Sequence, residues 1–233
     1  MIKRIIPAIL VISIFFMLLK VMTNITPKYD LTGVSKTYAE QGASDLGAMN
    51  LVTAIVVTYR GLDTLGEVAV LFMAGTGIAL LLRRKKKKKG SVAKKREASE
   101  ILQTGSKLLV PIIMMFGAYI FINGHLSPGG GFQGGAAIAS AVMLMFLADN
   151  SFKINHKVFG LIESLSGMFY VIIGILGLVM IGADHFLDSR LLPLGEFGKI
   201  LSAGTIPIIY TLVGLKVGTE LASIIDNMKG DLE

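Results

Sequence analysis

The sequence predicts an all-α, polytopic integral membrane protein with about six transmembrane helices and one short interfacial or re-entrant helix. Of the 233 residues, 53% are hydrophobic and 17% are charged, and the mean hydropathy of +0.68 lies outside the range of soluble domains. Several apolar runs reach the ~20 residues that a helix needs to cross the hydrocarbon layer. Much of the net charge of +7 lies in a run at 83–89 that directly follows an apolar segment. The positive-inside rule expects this arrangement, so the charge indicates membrane anchoring and not nucleic-acid binding.

The first apolar run follows Lys3 and Arg4 and has the outline of a signal peptide. No small-residue cleavage site follows it and Lys20 interrupts its end, so we expect a retained helix. The last run contains Pro207, which is expected to kink or loosen it. By apolar length, the six predicted transmembrane helices are residues 4–22, 62–82, 107–124, 134–148 or 134–152, 158–181 and 200–225.

Segment 48–59 is apolar and helix-like, but at 1.5 Å per residue it extends only about 18 Å, too short to cross. The basic residues Lys3 and Arg4 and the run 83–89 should both be cytoplasmic, so an even number of crossings separates them. We therefore expect segment 48–59 to lie in the outer interface or to re-enter against another subunit. The same count places both termini in the cytoplasm and the turn after the third helix outside.

A polar, strongly basic stretch divides the chain. Residues 91–106 are predicted to be a cytoplasmic linker, since such a composition does not pack into a membrane. Residues 1–90 then form a domain with two transmembrane helices, and residues 107–233 form a domain with four.

Residues 124–135, between the third and fourth predicted helices, are the most informative stretch. Composition alone fits a tight turn, since five glycines fall within eight positions and Pro128 fixes one backbone angle. The order is more specific. An apolar helix ending in Gly-His, then Ser-Pro-Gly-Gly-Gly-Phe and a small-residue helix, resembles the B subunit of Mrp-type sodium/proton antiporters, the MnhB family. The motif residues are Pro128, Gly129, Gly130, Gly131 and Phe132.

A second motif, Arg-Gly-Leu-Asp-Thr-Leu-Gly-Glu at 60–67, opens the second predicted helix. Asp63 and Glu67 are four residues apart and share a helix face, and Arg60 is placed to neutralise Asp63. Both carboxylates are candidates for an ion path. For Asp63 we favour the structural role, whereas Glu67 lies a turn deeper and fits either an ion path or a buried contact between subunits. The stretch resembles the E-type membrane domain of ferredoxin-linked, membrane-bound [NiFe] hydrogenases, a domain that also closes the A subunit of Mrp antiporters.

Charged residues within the predicted helices are the remaining candidates for an ion pathway. Glu163 lies in the fifth helix, and Lys216 and Glu220 are placed to pair across one turn of the sixth. Each fits either a neutral packing contact or a lateral proton or sodium route shared with neighbouring subunits. His125 fits either a gate or proton relay, or a cap on the end of the third helix. His156 and His185 are expected in loops, in contact with solvent.

No nucleophile–base pair, metal-ligand cluster or cofactor fingerprint is present, and the chain has no cysteine, so we expect no active site and no cofactor in this subunit. The resemblance implies a subunit of the antiporter-like module of a multisubunit respiratory complex in the cell membrane, with Na+ and H+ as the transported ions. Its partners would be the other membrane subunits and the redox subunits. Because no large transporter-like region precedes the E-type domain, a membrane-bound hydrogenase or a sulfur-reducing relative is favoured. The alternatives are a stand-alone Mrp-type antiporter and a purely structural scaffold.

Overall fold

The computed structural model describes residues 2–24, 30–82, 98–182 and 186–231, and these contain helices and no strand. Five helices are long and apolar enough to cross a membrane, and a sixth carries the shorter apolar stretch Ala8–Thr23, which confirms the predicted fold class. The helices are α1 (Ile2–Asn24), α2 (Val34–Leu46), α3 (Leu51–Ala54) with a π-helical turn (Ile55–Tyr59), α4 (Gly61–Leu81), α5 (Glu100–Ile122), α6 (Gly131–Ala148), α7 (His156–Met180), a 3₁₀ turn (Ser189–Leu191) and α8 (Ile206–Asp231).

The chain forms two compact units, Met1–Thr37 and Tyr38–Glu233. The first contains α1, whose described side chains are exposed. The second contains α3 to α8. The predicted division at the linker stays a prediction, because residues 83–97 lie outside the described part of the chain. Beyond them the structure differs from the prediction: α5 begins at Glu100, not at Lys107, since the Ser99 side chain caps it by accepting a hydrogen bond from the backbone N–H of Leu102.

Two further helix starts differ from the prediction, and one helix was not predicted. Helix α6 begins at Gly131 and ends at Ala148, so the glycines of the motif belong partly to the helix. Helix α8 begins at Ile206, because the preceding residues form a loop in which the Thr205 N–H donates to the Ser189 carbonyl. Pro207 therefore lies in the first turn of α8, where its missing N–H removes no helical hydrogen bond, and the expected kink is not required. Helix α2 was not predicted, since its sequence is polar.

Glycines allow the helices of the second unit to approach closely. Helix α6 packs between α5 and α8, and α8 also contacts α7 and α4. A Cβ at Gly134 would lie 2.6 Å from the Gly117 carbonyl oxygen of α5, and one at Gly135 would lie 2.8 Å from the Gly214 carbonyl oxygen of α8. No side chain fits at such contacts, which agrees with the expected packing role of small residues in membrane helices.

One face of segment 48–59 is covered by this chain itself and not by another subunit, whereas its expected position in the outer interface stays a prediction. Ala54 and Val57 are fully buried and share a hydrophobic core with Ile206 and Ile209 of α8. The segment is too short to cross, as predicted, but it is an internal part of the fold. The position of this segment depends on tertiary contacts with the outer loops, and these contacts cannot be inferred from local hydropathy.

Candidate functional site

The fold brings three charged side chains together between α7 and α8. The Nζ atom of Lys216 lies 3.4 Å from Oε2 of Glu220, one turn away on the same helix, and 3.6 Å from Oε1 of Glu163 on α7. Sequence spacing predicted the first contact. It did not predict that Glu163 joins the same site, because that depends on how two distant helices pack. We refer to Glu163, Lys216 and Glu220 as the triad.

Helix α4 closes the triad on one side. The Phe72 ring lies 5.3 Å from the Lys216 ammonium, which is within the range of a cation–π contact. Gly75 leaves room for Glu220, since a Cβ there would lie 2.8 Å from a carboxylate oxygen. Lys216 and Glu220 are 9% and 4% exposed. Charges buried in a membrane helix are expensive unless they are paired, so this arrangement is a specific feature of the fold.

The other carboxylates of the predicted pathway lie elsewhere, on the exposed face of α4. Arg60 and Asp63 form the expected ion pair, with the Arg60 Nε donating to Asp63 Oδ2 at 2.6 Å. Both side chains are more than half exposed, so this pair belongs to the surface. Glu67 is exposed as well, one turn further along α4. The structure therefore groups Glu163 with Lys216 and Glu220, and it leaves Asp63 and Glu67 on a face that this chain does not cover.

The glycine-rich motif forms the turn between α5 and α6. Gly129 has φ +156°, and a Cβ there would lie 2.9 Å from the Ile120 side chain. A Cβ at Gly131 would lie 2.7 Å from Val213 of α8. Pro128 is exposed, Gly130 caps α6, and Phe132 packs against the hydrophobic core. The turn is thus tied to α8 as well as to its own two helices, as expected of a structural motif.

Segment 48–59 binds this turn through a cluster of hydrogen bonds that we call the clamp. The Asn50 side-chain amide donates to the carbonyl oxygens of Gly124 and Ser127 at 2.9 and 3.0 Å, and Thr53 Oγ1 donates to Gly124 at 2.6 Å. Asn50 Oδ1 also accepts from Val52 N–H and so caps α3. Sequence analysis missed both residues. The sequence did contain one signal for them: Asn50 and Thr53 are polar residues near the start of an apolar segment that is too short to cross the membrane.

His125 is fully buried beneath the clamp. Its backbone carbonyl accepts from the Asn50 N–H at 3.0 Å, its Nε2 lies 3.4 Å from the Lys199 carbonyl oxygen, and its Nδ1 has no hydrogen-bond partner among the described residues. Burial disfavours the charged ring and lowers the pKa of His125 below its usual value. A donor contact to a carbonyl requires the N–H on Nε2, which leaves Nδ1 as an unprotonated acceptor.

Sequence analysis also missed an ion pair between a buried carboxylate and a half-exposed guanidinium. Asp188 is 1% exposed, and its carboxylate accepts from Arg190 Nη2 at 2.6 Å and caps the 3₁₀ turn through the Arg190 N–H. Charge assistance from Asp188 raises the pKa of Arg190, which stays ionised. His156 was expected in a loop, but it is the first residue of α7. Its Nε2 lies 3.2 Å from Asp226 Oδ2. His185 lies outside the described residues. Within those residues no group of three or more acidic and histidine side chains is arranged to hold a metal ion.

Two family models divide the chain between them. The model of a domain related to the MnhB subunit of Na+/H+ antiporters matches residues 101–223, more than half of the chain, and the MbhE model, for the E-type component of MBH, matches residues 4–99. The chain belongs to the MnhB-related family. Both resemblances drawn from the sequence are confirmed, and they meet between residues 99 and 101. The triad of this MnhB-related protein therefore lies where α4 of the E-type half packs on α8.

Curated relatives and solved structures agree with this assignment. An uncharacterized protein of Methanocaldococcus jannaschii is 30% identical over 189 residues, 72% of each chain. A Staphylococcus aureus chain named as an antiporter subunit, MnhB2, is 51% identical over 55 residues, which cover 24% of this chain and 39% of that one.

The structural relatives cover almost the whole chain. A chain from the structure of the membrane-bound sulfane sulfur reductase, an archaeal respiratory membrane complex, superposes with a TM-score of 0.80 at 46% identity over 98% of both chains. A chain of the Mrp complex from a Dietzia species superposes with a TM-score of 0.75 at 23% identity over 98% of this chain and 26% of its own length, which shows a shared fold. This MnhB-related chain is a multi-pass membrane protein.

Proposed function

We propose that this chain is a non-catalytic membrane subunit of the Na+/H+ antiporter-like module of a multisubunit respiratory complex. The observation that carries the proposal is the buried triad at the junction of the E-type and MnhB-related halves. A largely buried charged site, among helices that otherwise expose many large apolar side chains, fits ion handling. The transported ions would be Na+ and H+, and the redox chemistry would belong to partner subunits.

The proposed type of complex is supported by the likeness, over 98% of both chains, to a chain of the sulfane sulfur reductase structure. That likeness supports a sulfur-reducing complex or a related ferredoxin-linked, membrane-bound hydrogenase over a stand-alone Mrp antiporter. In such a complex the exposed face of α4 would pack beside a transporter subunit, which would cover Glu67 in place of lipid. The protein would lie in the cell membrane with both termini in the cytoplasm.

Co-purification tests the proposal. The chain, tagged at its C-terminus and extracted in mild detergent, is expected to bring down transporter-like and iron–sulfur subunits. Stoichiometric nickel in the preparation would identify a membrane-bound hydrogenase, and iron–sulfur subunits without nickel would identify the sulfur-reducing type. Transporter subunits without redox subunits would identify an antiporter. A chain that purifies alone would contradict the proposal.

Replacement of Glu67 separates an ion-conducting role from a purely structural one. Glu67→Gln keeps the size of the side chain and removes its charge from the exposed face of α4, so we expect Na+ flux in membrane vesicles to fall at least tenfold while the complex assembles normally. Glu196→Gln, which neutralises an exposed carboxylate in the outer loop, serves as the matched control and should keep normal flux. Normal flux in Glu67→Gln would favour the scaffold alternative.

A further inference from the structure

The charges of the triad do not balance. Two carboxylates face a single ammonium group, so the fully ionised site carries a net charge of −1. The charged groups that face Glu220 in the described part of the chain are Lys216 and Glu163. From helix α4, the Phe72 ring lies over the Lys216 ammonium and Gly75 adjoins the Glu220 carboxylate. Since an uncompensated charge at membrane depth is costly, the site requires one further positive charge.

The geometry leaves a carboxylate oxygen available to take that charge. The distances of 3.4 and 3.6 Å from the Lys216 ammonium exceed the ~2.7–2.9 Å of a strong charge-assisted hydrogen bond. Oε2 of Glu220 is buried and accepts no hydrogen bond from the described residues. Glycine lies beside both ends of the pair, with Gly75 next to the carboxylate and Gly167 next to the Lys216 side chain.

We infer that the triad binds one exchangeable monovalent cation, either H+ or Na+, on the carboxylates of Glu163 and Glu220. Lys216 stays protonated and neutralises one carboxylate, and the second carboxylate holds the proton or the metal ion. Na+ is a hard cation and shares the preference of such ions for oxygen ligands. When Na+ enters, the proton leaves the carboxyl group for bulk water, so the total charge of the site is unchanged. This inference rests on the proposed function and assigns its ion exchange to a site.

Competition at one site makes Na+ binding depend on pH. The titratable groups that face the exchanging carboxylates are Glu163 from α7 and Lys216 and Glu220 from α8, whereas α4 presents no titratable side chain in the contacts described. One proton leaves for each Na+ bound. While the carboxyl group is protonated, each unit fall in pH should therefore raise the half-saturating Na+ concentration about tenfold.

Infrared difference spectroscopy on the purified full-length chain in lipid nanodiscs tests the inference. Spectra are recorded in NaCl and in choline chloride at equal ionic strength across a pH series. In the wild type, Na+ should remove a protonated-carboxyl band and add a carboxylate band, with the half-saturating concentration shifting about tenfold per pH unit. A spectrum that is the same in Na+ and choline at every pH would overturn the inference.

Variants assign the signal to the triad. Glu220→Gln and Glu163→Gln each leave one carboxylate for one ammonium, so both should abolish the Na+-induced change. Glu196→Gln, outside the membrane helices, should keep it. An unchanged signal in both triad variants would overturn the assignment. Glu163 is 23% exposed, so Glu163→Gln decides the matter if Glu220→Gln fails to fold. Because this assay uses the purified chain, its failure is distinct from a failure of co-purification.

Discussion

His125 shows how a single buried side chain links stability to pH. Its pKa is lowered because burial penalises the charged ring more than the neighbouring backbone groups, among them the Lys199 carbonyl, stabilise a proton on it. The gate and the cap suggested by the sequence both need the ring to contact something. The observed contact is to the Lys199 carbonyl oxygen, in the loop before α8. This position favours a structural role in which the neutral ring holds two outer loops together.

The prediction at this scale concerns how the stability of the folded chain depends on pH through His125. The unfolded chain takes up a proton on His125 near its ordinary pKa of about 6.5, whereas the folded chain resists protonation to lower pH. The unfolded state therefore binds more protons as pH falls through that region, and stability is lost on acidification by at most about 1.4 kcal/mol per pH unit from this group. Thermal unfolding of the purified chain between about pH 8 and pH 5.5 should show this loss.

The variant His125→Gln keeps hydrogen-bonding capacity and removes titration. It should lower the unfolding temperature at neutral pH only modestly and should flatten the part of the pH dependence that His125 causes. If the unfolding temperatures of wild type and variant change with pH in parallel across the whole range, the His125 ring does not cause the pH dependence of stability.

The sequence predicted the members of the candidate site better than their grouping. Lys216 and Glu220 are related by helical spacing, so their contact followed from the sequence alone. Glu163 is on another helix, and its approach to Lys216 depends on the packing of α7 against α8. A consequence is that neutralising Lys216 and Glu220 together leaves Glu163 without its ammonium partner. Replacing a single carboxylate, as in Glu220→Gln or Glu163→Gln, instead leaves one carboxylate for one ammonium.

At the scale of elements, the packing of α6 against α8 depends on missing side chains. A Cβ at Gly135 would lie 2.8 Å from the Gly214 carbonyl oxygen and 2.9 Å from the Gly218 nitrogen, both of which are backbone atoms of α8. Backbone in the middle of a helix cannot move aside as a flexible side chain can. A methyl group there must push the two helices apart.

We therefore predict that Gly135→Ala destabilises the protein by about 1–3 kcal/mol, the usual cost of overpacking. Gly160→Ala on α7 is the matched control, since no atom lies within 4 Å of its added Cβ. This control should be neutral or slightly stabilising, because alanine favours a helix over glycine by up to about 1 kcal/mol. Thermal unfolding of both variants measures the difference. Equal effects would show that helix propensity outweighs the close contact.

Helix positions were predictable from the sequence, but several helix ends were not. Apolar length located α4 to α8 because crossing the hydrocarbon layer sets a minimum run. The ends depend on side-chain caps and tertiary contacts, as at Ser99 before α5 and in the loop before Ile206. Segment 48–59 shows the same limit. Its length was sufficient to exclude a crossing, but only the clamp to the glycine-rich turn reveals that it is an internal element.

At the scale of the whole molecule, the two family-matched halves contact each other at both of the features described. Near the glycine-rich turn, Asn50 and Thr53 of the E-type half hydrogen-bond to Gly124 of the MnhB-related half. Deeper in the helices, Phe72 and Gly75 of α4 adjoin the triad. A fused chain keeps these contacts intramolecular and fixes the two halves in equal number. This gives a physical reason for encoding the E-type and MnhB-related domains together.

The last prediction concerns orientation in the membrane. The glycine-rich turn, the clamp and the loop around Glu196 adjoin one another at one end of the helices, since His125 contacts Lys199. At the other end, Lys229 Nζ donates to the Phe152 carbonyl oxygen, near Ser151. The basic run 83–89 directly follows α4, which runs away from the clamp, so the positive-inside rule assigns the end with Ser151 to the cytoplasm.

Because the chain contains no cysteine, single introduced cysteines report this orientation cleanly. Glu196 and Ser151 are both exposed, so neither substitution disturbs the core. A membrane-impermeant maleimide should label Glu196→Cys in intact cells, whereas it should label Ser151→Cys only after the membrane is permeabilised. The reverse labelling pattern would show that the protein has the opposite orientation in the membrane. Protons and Na+ exchanged at the triad would then enter and leave on the sides opposite to those expected, and the basic run would face outward against the charge bias that the whole sequence displays.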